Sequence, residues 1–168
     1  MKPGKHSDMA YNASLIAYAF VKKGVETGKP VTQMKLQKMV YFAHGYHLAK
    51  YDEPLIKEDF EAWQFGPVAP SIYNEFRLYG SDPITAQESN KLDQELRALS
   101  PEALDAINYT WEATKDVSAY KLSGWTHKKD SPWAAAYQPN IVGTVIKNNE
   151  IKSYFTQFLS ANGSTAAH

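Results

Sequence analysis

The sequence predicts a mainly α protein, a compact single-domain helical fold with a small β element near residues 60–65. Three observations support this prediction. Apolar residues recur at helical spacing through most of the chain, start and stop signals bracket these segments, and one short stretch changes to alternation. The chain has 168 residues, 43% of them hydrophobic, which suits one domain of ordinary size with a real core.

The first two helices are predicted over residues 8–26 and 33–50. Ser7 or Asp8 can cap the first helix and Thr32 the second, because their side-chain oxygens accept hydrogen bonds from free N–H groups. Apolar residues cover more than one side of the second helix: Leu36, Met39, Val40, Ala43 and Tyr46, then Tyr41 and Leu48. A helix of this kind usually lies inside its domain, so we expect the second helix at the centre.

The stretch LIKEDFEAWQF, residues 55–65, changes period and predicts a short strand. In a strand, Trp63 and Phe65 share one face while Gln64 takes the other. We interpret the two aromatic rings as core residues, since most large aromatic side chains are buried. Gly66-Pro67 breaks the pattern and is predicted to form a rigid surface turn between the strand and the next helix.

That next helix is predicted to open at Pro70 or Ser71 and to end at Gly80, followed by a polar stretch, 81–99, that begins as a loop. Further helical segments are predicted over 101–116, 119–127 and 148–160, with a short turn opening at Ser131-Pro132-Trp133. Residues 1–160 are taken as one domain. The remaining residues, 161–168, are small and polar and are predicted to form a flexible tail.

The composition argues against several classes of protein. The 18 Lys and Arg residues balance 18 Asp and Glu, which argues against nucleic acid as the sole partner. The absence of Cys excludes disulfides and thiolate chemistry. No run reaches the ~18 apolar residues of a membrane span, and the N-terminus lacks an apolar signal segment, so we expect a cytoplasmic protein without a membrane partner. A solvated face, or alternatively a basic patch that steers an acidic partner, is predicted for Lys22, Lys23, Lys35 and Lys38.

Candidate catalytic and metal-binding residues are few. His44 and His47 lie three positions apart on one helix, a spacing that also suits a metal site. Because no HExxH motif and no third ligand accompany them, we expect hydrogen-bonded structural histidines, with no metal and no cofactor. Thr126-His127 lies close in sequence to Asp130 and Ser131, but sequence neighbours rarely meet as nucleophile, base and orienting group. No catalytic residue is therefore predicted.

Two blocks of sequence together resemble a known family. They are KLQKMVYFAHGYHLAKYDEPLIKEDFEAWQFGPVAPSIYNEFRLYG, residues 35–80, and LSGWTHKKDSPW, residues 122–133. The combination of Lys-Leu-Gln-Lys, Tyr-Phe-Ala, Trp-x-x-Gly-Pro-Val, Leu-Ser-x-x-Thr-His and Pro-Trp is specific. With the leading helix and the closing NNEIKSYF, it resembles the Panacea domain of bacterial and phage antitoxins, the SocA-like family, over nearly the whole chain.

This resemblance implies a mainly helical single domain that neutralises a separate protein toxin by binding it, and not an enzyme. The toxin would be encoded next to the antitoxin. Because one relative acts as an adaptor, the alternative is a proteolytic adaptor that delivers the toxin to a chaperone-protease. A hydrolase that uses His127 or the His44/His47 pair is a third hypothesis, and a DNA-binding repressor is a fourth.

The residues predicted to form or support the toxin-binding surface come from the two blocks: Gln64, Gly66, Pro67, Thr126, His127 and Trp133. A rigid turn loses little entropy on binding, which suits a tight inhibitor. Two rigid turns can build one site only if the fold brings them together, and the sequence does not decide that point.

Overall fold

The computed structural model describes residues 10–85 and 89–167, apart from the side chains of 161–167. The described residues form eight α-helices and one small sheet. The helices are α1 (Ala13–Glu26), α2 (Gln33–Tyr51), α3 (Pro70–Phe76), α4 (Asn90–Arg97), α5 (Pro101–Thr114), α6 (Ala119–Thr126), α7 (Pro132–Ala136) and α8 (Asn148–Ala167). The strands are β1 (Phe60–Trp63), β2 (Gly66–Val68) and β3 (Thr144–Ile146), and a 3₁₀ turn, Arg77–Tyr79, follows α3. The predicted mainly α fold with a small β element is confirmed.

Helix α2 lies at the centre of the fold, as its two-sided apolar pattern predicts. Val40 and Ala43 are completely buried, and α1, α5 and α8 all pack against this helix. The helix begins where expected, because the Thr32 hydroxyl accepts a 3.3 Å hydrogen bond from the Lys35 backbone N–H. Burying a helix on more than one side contributes more stability than its intrinsic propensity, since the apolar area removed from water is large.

The sheet is antiparallel, with strand order β2–β1–β3. The strands β1 and β2 form a hairpin in which Trp63 pairs with Gly66, so the connecting turn is Gln64–Phe65. The prediction that Gly66-Pro67 forms a turn is wrong, since both residues belong to β2. Pro67 is tolerated there because β2 is an edge strand, where a missing N–H need not break a ladder.

Other boundaries differ from the predicted ones. Within the described residues α1 begins at Ala13 rather than residue 8, and its N-terminus is capped by the Glu58 carboxylate, which accepts a 2.8 Å bond from the Ala13 N–H. The proposed caps Ser7 and Asp8 lie outside the described residues. The polar stretch 81–99 contains α4, a helix without buried residues, whose pattern gave no apolar signal.

At the C-terminal end, α8 begins at Asn148 as predicted and continues beyond residue 160 to Ala167. The flexibility expected of residues 161–168 stays a prediction. No helix among the described residues is both long enough and apolar enough to cross a membrane.

Candidate functional site

The candidate site is built around the tip of the β1–β2 hairpin, the two residues Gln64 and Phe65, called here the hairpin tip. Gln64 is exposed, and 59% of Phe65 is accessible to solvent. The interpretation of Phe65 as a core residue is therefore wrong, because the residue lies in the turn and the alternation of a strand does not apply to it. Trp63, the last strand residue, is half-buried and contacts Tyr73 edge to face at a centroid distance of 5.0 Å.

The hairpin tip is held from below through the Phe65 carbonyl oxygen. This oxygen accepts a 3.0 Å hydrogen bond from the Lys38 ammonium and a 3.3 Å bond from the Ser123 hydroxyl. Lys38 projects from α2 and only 2% of it is exposed, so its assignment to a solvated face is wrong. Burial lowers the pKa of Lys38 to about 8, because a cation loses hydration in the interior.

The second sequence block forms the corner between α6 and α7. The Thr126 hydroxyl donates a 2.8 Å bond to the Ser123 carbonyl, and the Ser131 hydroxyl donates a 2.8 Å bond to the Thr126 carbonyl. Just beyond this corner, the Trp133 indole stacks on the His127 imidazole, with ring centroids 3.8 Å apart and planes 12° apart. These contacts fix the positions of both rings.

The fold brings the two sequence blocks together. The Trp133 indole N–H donates a 2.7 Å hydrogen bond to the carbonyl oxygen of Trp63 in β1. At Gly66, an added Cβ would lie 3.3 Å from the Thr126 hydroxyl oxygen and 3.4 Å from the Lys38 nitrogen. Gly66 also has φ +128°, a conformation that side chains disfavour, so glycine suits this position on both counts.

Five of the six predicted site residues therefore lie in or beneath the hairpin tip: Gln64, Gly66, Thr126, His127 and Trp133. The sixth, Pro67, is buried in β2 opposite Ala62. We call the hairpin tip together with Thr126, His127 and Trp133 the hairpin corner. The prediction missed Lys38 and Phe65. The sequence does contain a signal for Lys38, because this lysine lies within a helix that is apolar on more than one side. The same pattern, however, also fits a lysine whose long side chain extends to solvent.

The chemistry of His127 follows from its surroundings. Its Nε2 atom is buried and makes no hydrogen bond within the described residues. Burial lowers the pKa of His127, and the nearby Lys38 charge lowers it further. The Phe65 backbone raises the pKa of His127, but by less than burial lowers it. The Thr126 hydroxyl donates its proton to Ser123 and so has none to give to this ring. The geometry is that of a structural support rather than of a nucleophile and base.

The paired histidines of α2 are hydrogen-bonded structural residues, as predicted. His44 is fully buried, its Nδ1 accepts from the Leu55 and Ile56 N–H groups at 3.3 Å, and its Nε2 donates to the Asn148 side-chain oxygen at 2.9 Å. His47 donates from Nδ1 to the Glu53 carbonyl at 2.6 Å. Among the described side chains no group of three or more His, Cys, Asp or Glu residues could hold a metal ion, and the expected lack of a metal stays a prediction.

Comparison with known proteins adds an independent finding. The family model described as "Antitoxin SocA-like, Panacea domain" matches residues 36–134, a span that contains all six predicted site residues. Among curated proteins, antitoxin SocA of Caulobacter vibrioides (strain NA1000 / CB15N) is 36% identical over 149 residues, covering 79% of this chain and 74% of the relative. No solved structure matches the chain significantly.

Proposed function

The chain belongs to the SocA-like, Panacea-domain family of antitoxins, and from this premise we propose that it neutralises a protein toxin by binding it directly. The proposal includes a toxin that is encoded next to the antitoxin and an encounter in the cytoplasm. The observation that carries it is the exposed Phe65 ring on a turn that is held from below. In this function the chain supplies a surface and no catalytic step.

Phe65 suits the role of an anchor in the interface. Aromatic residues are enriched at protein interfaces because each one adds a large contact area. Because 59% of Phe65 is accessible to solvent, a pocket on the partner can enclose its ring. The bonds from Lys38 and Ser123 to its carbonyl pre-organise the turn, which reduces the entropy lost on binding.

The outer face of the sheet extends the surface around this anchor. Glu61 and Trp63 face outward from β1, since Phe60 and Ala62 on the other face are buried. Val68 and Val145, the register partners of Glu61 on either side, share this outer face. A stable interface of standard size buries about 1,200–2,000 Å² in total, more than a hairpin tip alone provides. We therefore include this face in the proposed toxin-binding surface.

The six predicted site residues take two roles in the proposal. Gln64 contacts the toxin beside Phe65, because it is exposed on the same turn. The other five hold the turn in place: Gly66, Pro67, Thr126, His127 and Trp133. Substitutions in this second group should weaken binding chiefly by disturbing the turn, with a loss of stability.

The test measures toxin affinity and thermal stability together for Phe65→Ala, Gln64→Ala and the control Phe158→Ala. The control removes the same ring at a similar exposure, 50% instead of 59%, from a different element, α8. We expect Phe65→Ala to raise the dissociation constant by about 30-fold or more, as hot-spot residues do. We expect its melting temperature to stay close to that of the wild type.

Three outcomes separate the possibilities. Unchanged affinity for Phe65→Ala would remove the hairpin tip from the interface. Failure of the wild type to bind its toxin at micromolar concentrations would contradict direct neutralisation. A toxin that is bound but is degraded faster in cells when the antitoxin is present would indicate the proteolytic adaptor instead. Deletion of residues 160–168 in the same assay tests whether the C-terminal segment serves that degradation.

A further inference from the structure

A recessed site lies between four helices and shares no residue with the hairpin corner. It has a volume of about 420 Å³, in the range of small-molecule sites. We call it the aromatic pit, after the seven aromatic residues that line most of it: Phe42, Tyr46, Tyr109, Trp125, Tyr154, Phe155 and Phe158. Helices α5 and α8 both pack on α2, and the pit lies between them, with the end of α6 closing one side.

The shape of the pit favours a compact occupant. Each helix contributes less than two turns to the lining: 42–46 from α2, 109–114 from α5 and 154–159 from α8. At 1.5 Å per residue these segments are about 7–9 Å long, shorter than a partner helix of about three turns, which spans about 16 Å. A single small molecule matches these dimensions.

Residues 1–9, 86–88 and 161–168 of this sequence offer no large apolar ring to fill the pit. The residues whose side chains are not described are 1–9, 86–88 and 161–168, and they contain no Phe, Tyr, Trp, Leu, Ile or Val. Two rings at the rim are partly open to solvent, Tyr109 at 45% and Phe158 at 50%. The open faces of these rings are therefore available to a molecule from outside.

The lining chemistry specifies the class of that molecule. Rings attract a flat apolar body through offset-stacked or edge-to-face contacts. The Thr114 hydroxyl already donates to the Thr110 carbonyl, so it offers its proton to no ligand. Among the described residues that line the pit only Lys128 carries a charge, and it has no carboxylate partner in the described part of the chain.

From these contacts we propose that the aromatic pit is a binding site for a small aromatic monoanion, whose ring system packs between Tyr109, Trp125 and Phe158 while its single negative charge meets Lys128. The site is distinct from the hairpin corner. It does not depend on how the chain recognises a toxin.

The test uses two fluorescent probes that differ by one anionic group: 8-anilinonaphthalene-1-sulfonate and the neutral N-phenyl-1-naphthylamine. We expect the sulfonate to bind the purified, folded chain at one site, more tightly than the neutral probe. Lys128→Gln should weaken sulfonate binding by about two- to five-fold, the range of one exposed charge pair, and should leave the neutral probe unaffected. The adjacent exposed lysine, which does not line the pit, provides the matched control Lys129→Gln, with no expected change.

Two further variants test the location. Ala113→Phe adds a ring at an exposed lining position and should abolish binding of both probes. Phe158→Ala removes a rim ring and should weaken both probes by up to about ten-fold, which keeps the test valid if Ala113→Phe does not fold. The proposal would be overturned if both variants bound the probes with unchanged affinity, or if the wild type bound the two probes with equal affinity. If Ala113→Phe or Phe158→Ala abolished toxin binding and neither probe bound the wild type, the pit would be a protein interface. That result would equally overturn the proposal.

Discussion

The indole N–H of Trp133 donates a 2.7 Å hydrogen bond to the carbonyl oxygen of Trp63, which joins α7 to the last residue of β1 across 70 positions of sequence. The same indole stacks on both His127 and Tyr137, at centroid distances of 3.8 Å and 4.7 Å. Trp133 thus links the two sequence blocks that carry the family resemblance. The position of the hairpin tip depends on this link, because Trp63 is the residue that precedes the tip.

Replacing Trp133 by Phe should destabilise the protein through the lost donor. The variant keeps an aromatic ring but leaves the Trp63 carbonyl without its partner, which costs about 1–2 kcal/mol. For a chain of this size the melting temperature should fall by about 3–6 °C. Trp125→Phe is the matched control, since the Trp125 indole N–H makes no hydrogen bond to the described residues. Equal losses in the two variants would show that ring size matters and the hydrogen bond does not.

The hairpin corner marks the limit of what the sequence predicts. The resemblance and the turn chemistry selected residues near Gly66 and His127, and the fold does bring them together. The assignment of Phe65 to the core failed because periodicity cannot tell the last strand residue from the first turn residue. Three residues of β3 are too few for any period to appear in the sequence.

Lys38 illustrates a second limit. Its burial depends on a hairpin that folds over α2 from about 27 positions later, with Phe65 providing the acceptor. Local patterns describe one helix at a time, so they cannot specify what covers a given side chain. By contrast, the central position of α2 was predictable, because apolar residues on more than one side require cover from several directions.

Lys38 should make the stability of the protein depend on pH in the alkaline range. Its pKa is about 8 in the folded state against 10.5 for an ordinary lysine, so the unfolded chain binds more protons between these values. Stability therefore rises with pH, and Lys38 should add about 1–2 kcal/mol to the free energy of unfolding between pH 8 and 9.5. Urea denaturation of the wild type and Lys38→Met at both pH values isolates this contribution. The same pH slope in both proteins would contradict the lowered pKa of Lys38 in the folded state.

His44 should make the stability of the protein depend on pH in the acid range. Burial lowers its pKa to about 4, while the unfolded chain takes up a proton near pH 6.5, so the unfolded state binds more protons between these values. The contribution of His44 to stability is lost as the pH falls, by about 2 kcal/mol between pH 6.5 and 4.5. NMR titration of the imidazole checks this residue by itself, because the pKa of His47 is lowered as well. A His44 ring that titrates near pH 6.5 in the folded protein would contradict the hydrogen-bonded neutral tautomer.

Gly45 should be required where α2 meets α8. An added Cβ would lie 2.4 Å from two carbon atoms of the Phe155 ring, and that ring is wedged edge to face against Tyr41 and Phe42. Gly45→Ala forces the packed ring to move and should lower the free energy of unfolding by about 1–3 kcal/mol. Gly124→Ala in α6 is the matched control: nothing lies within 4 Å of its added Cβ, so the higher helix propensity of Ala should stabilise the protein by about 0.5–1 kcal/mol. Chemical denaturation of both variants measures whether each substitution lowers or raises the free energy of unfolding. A stabilising Gly45→Ala would show that the contact between α2 and α8 is looser than the position of the Phe155 ring indicates.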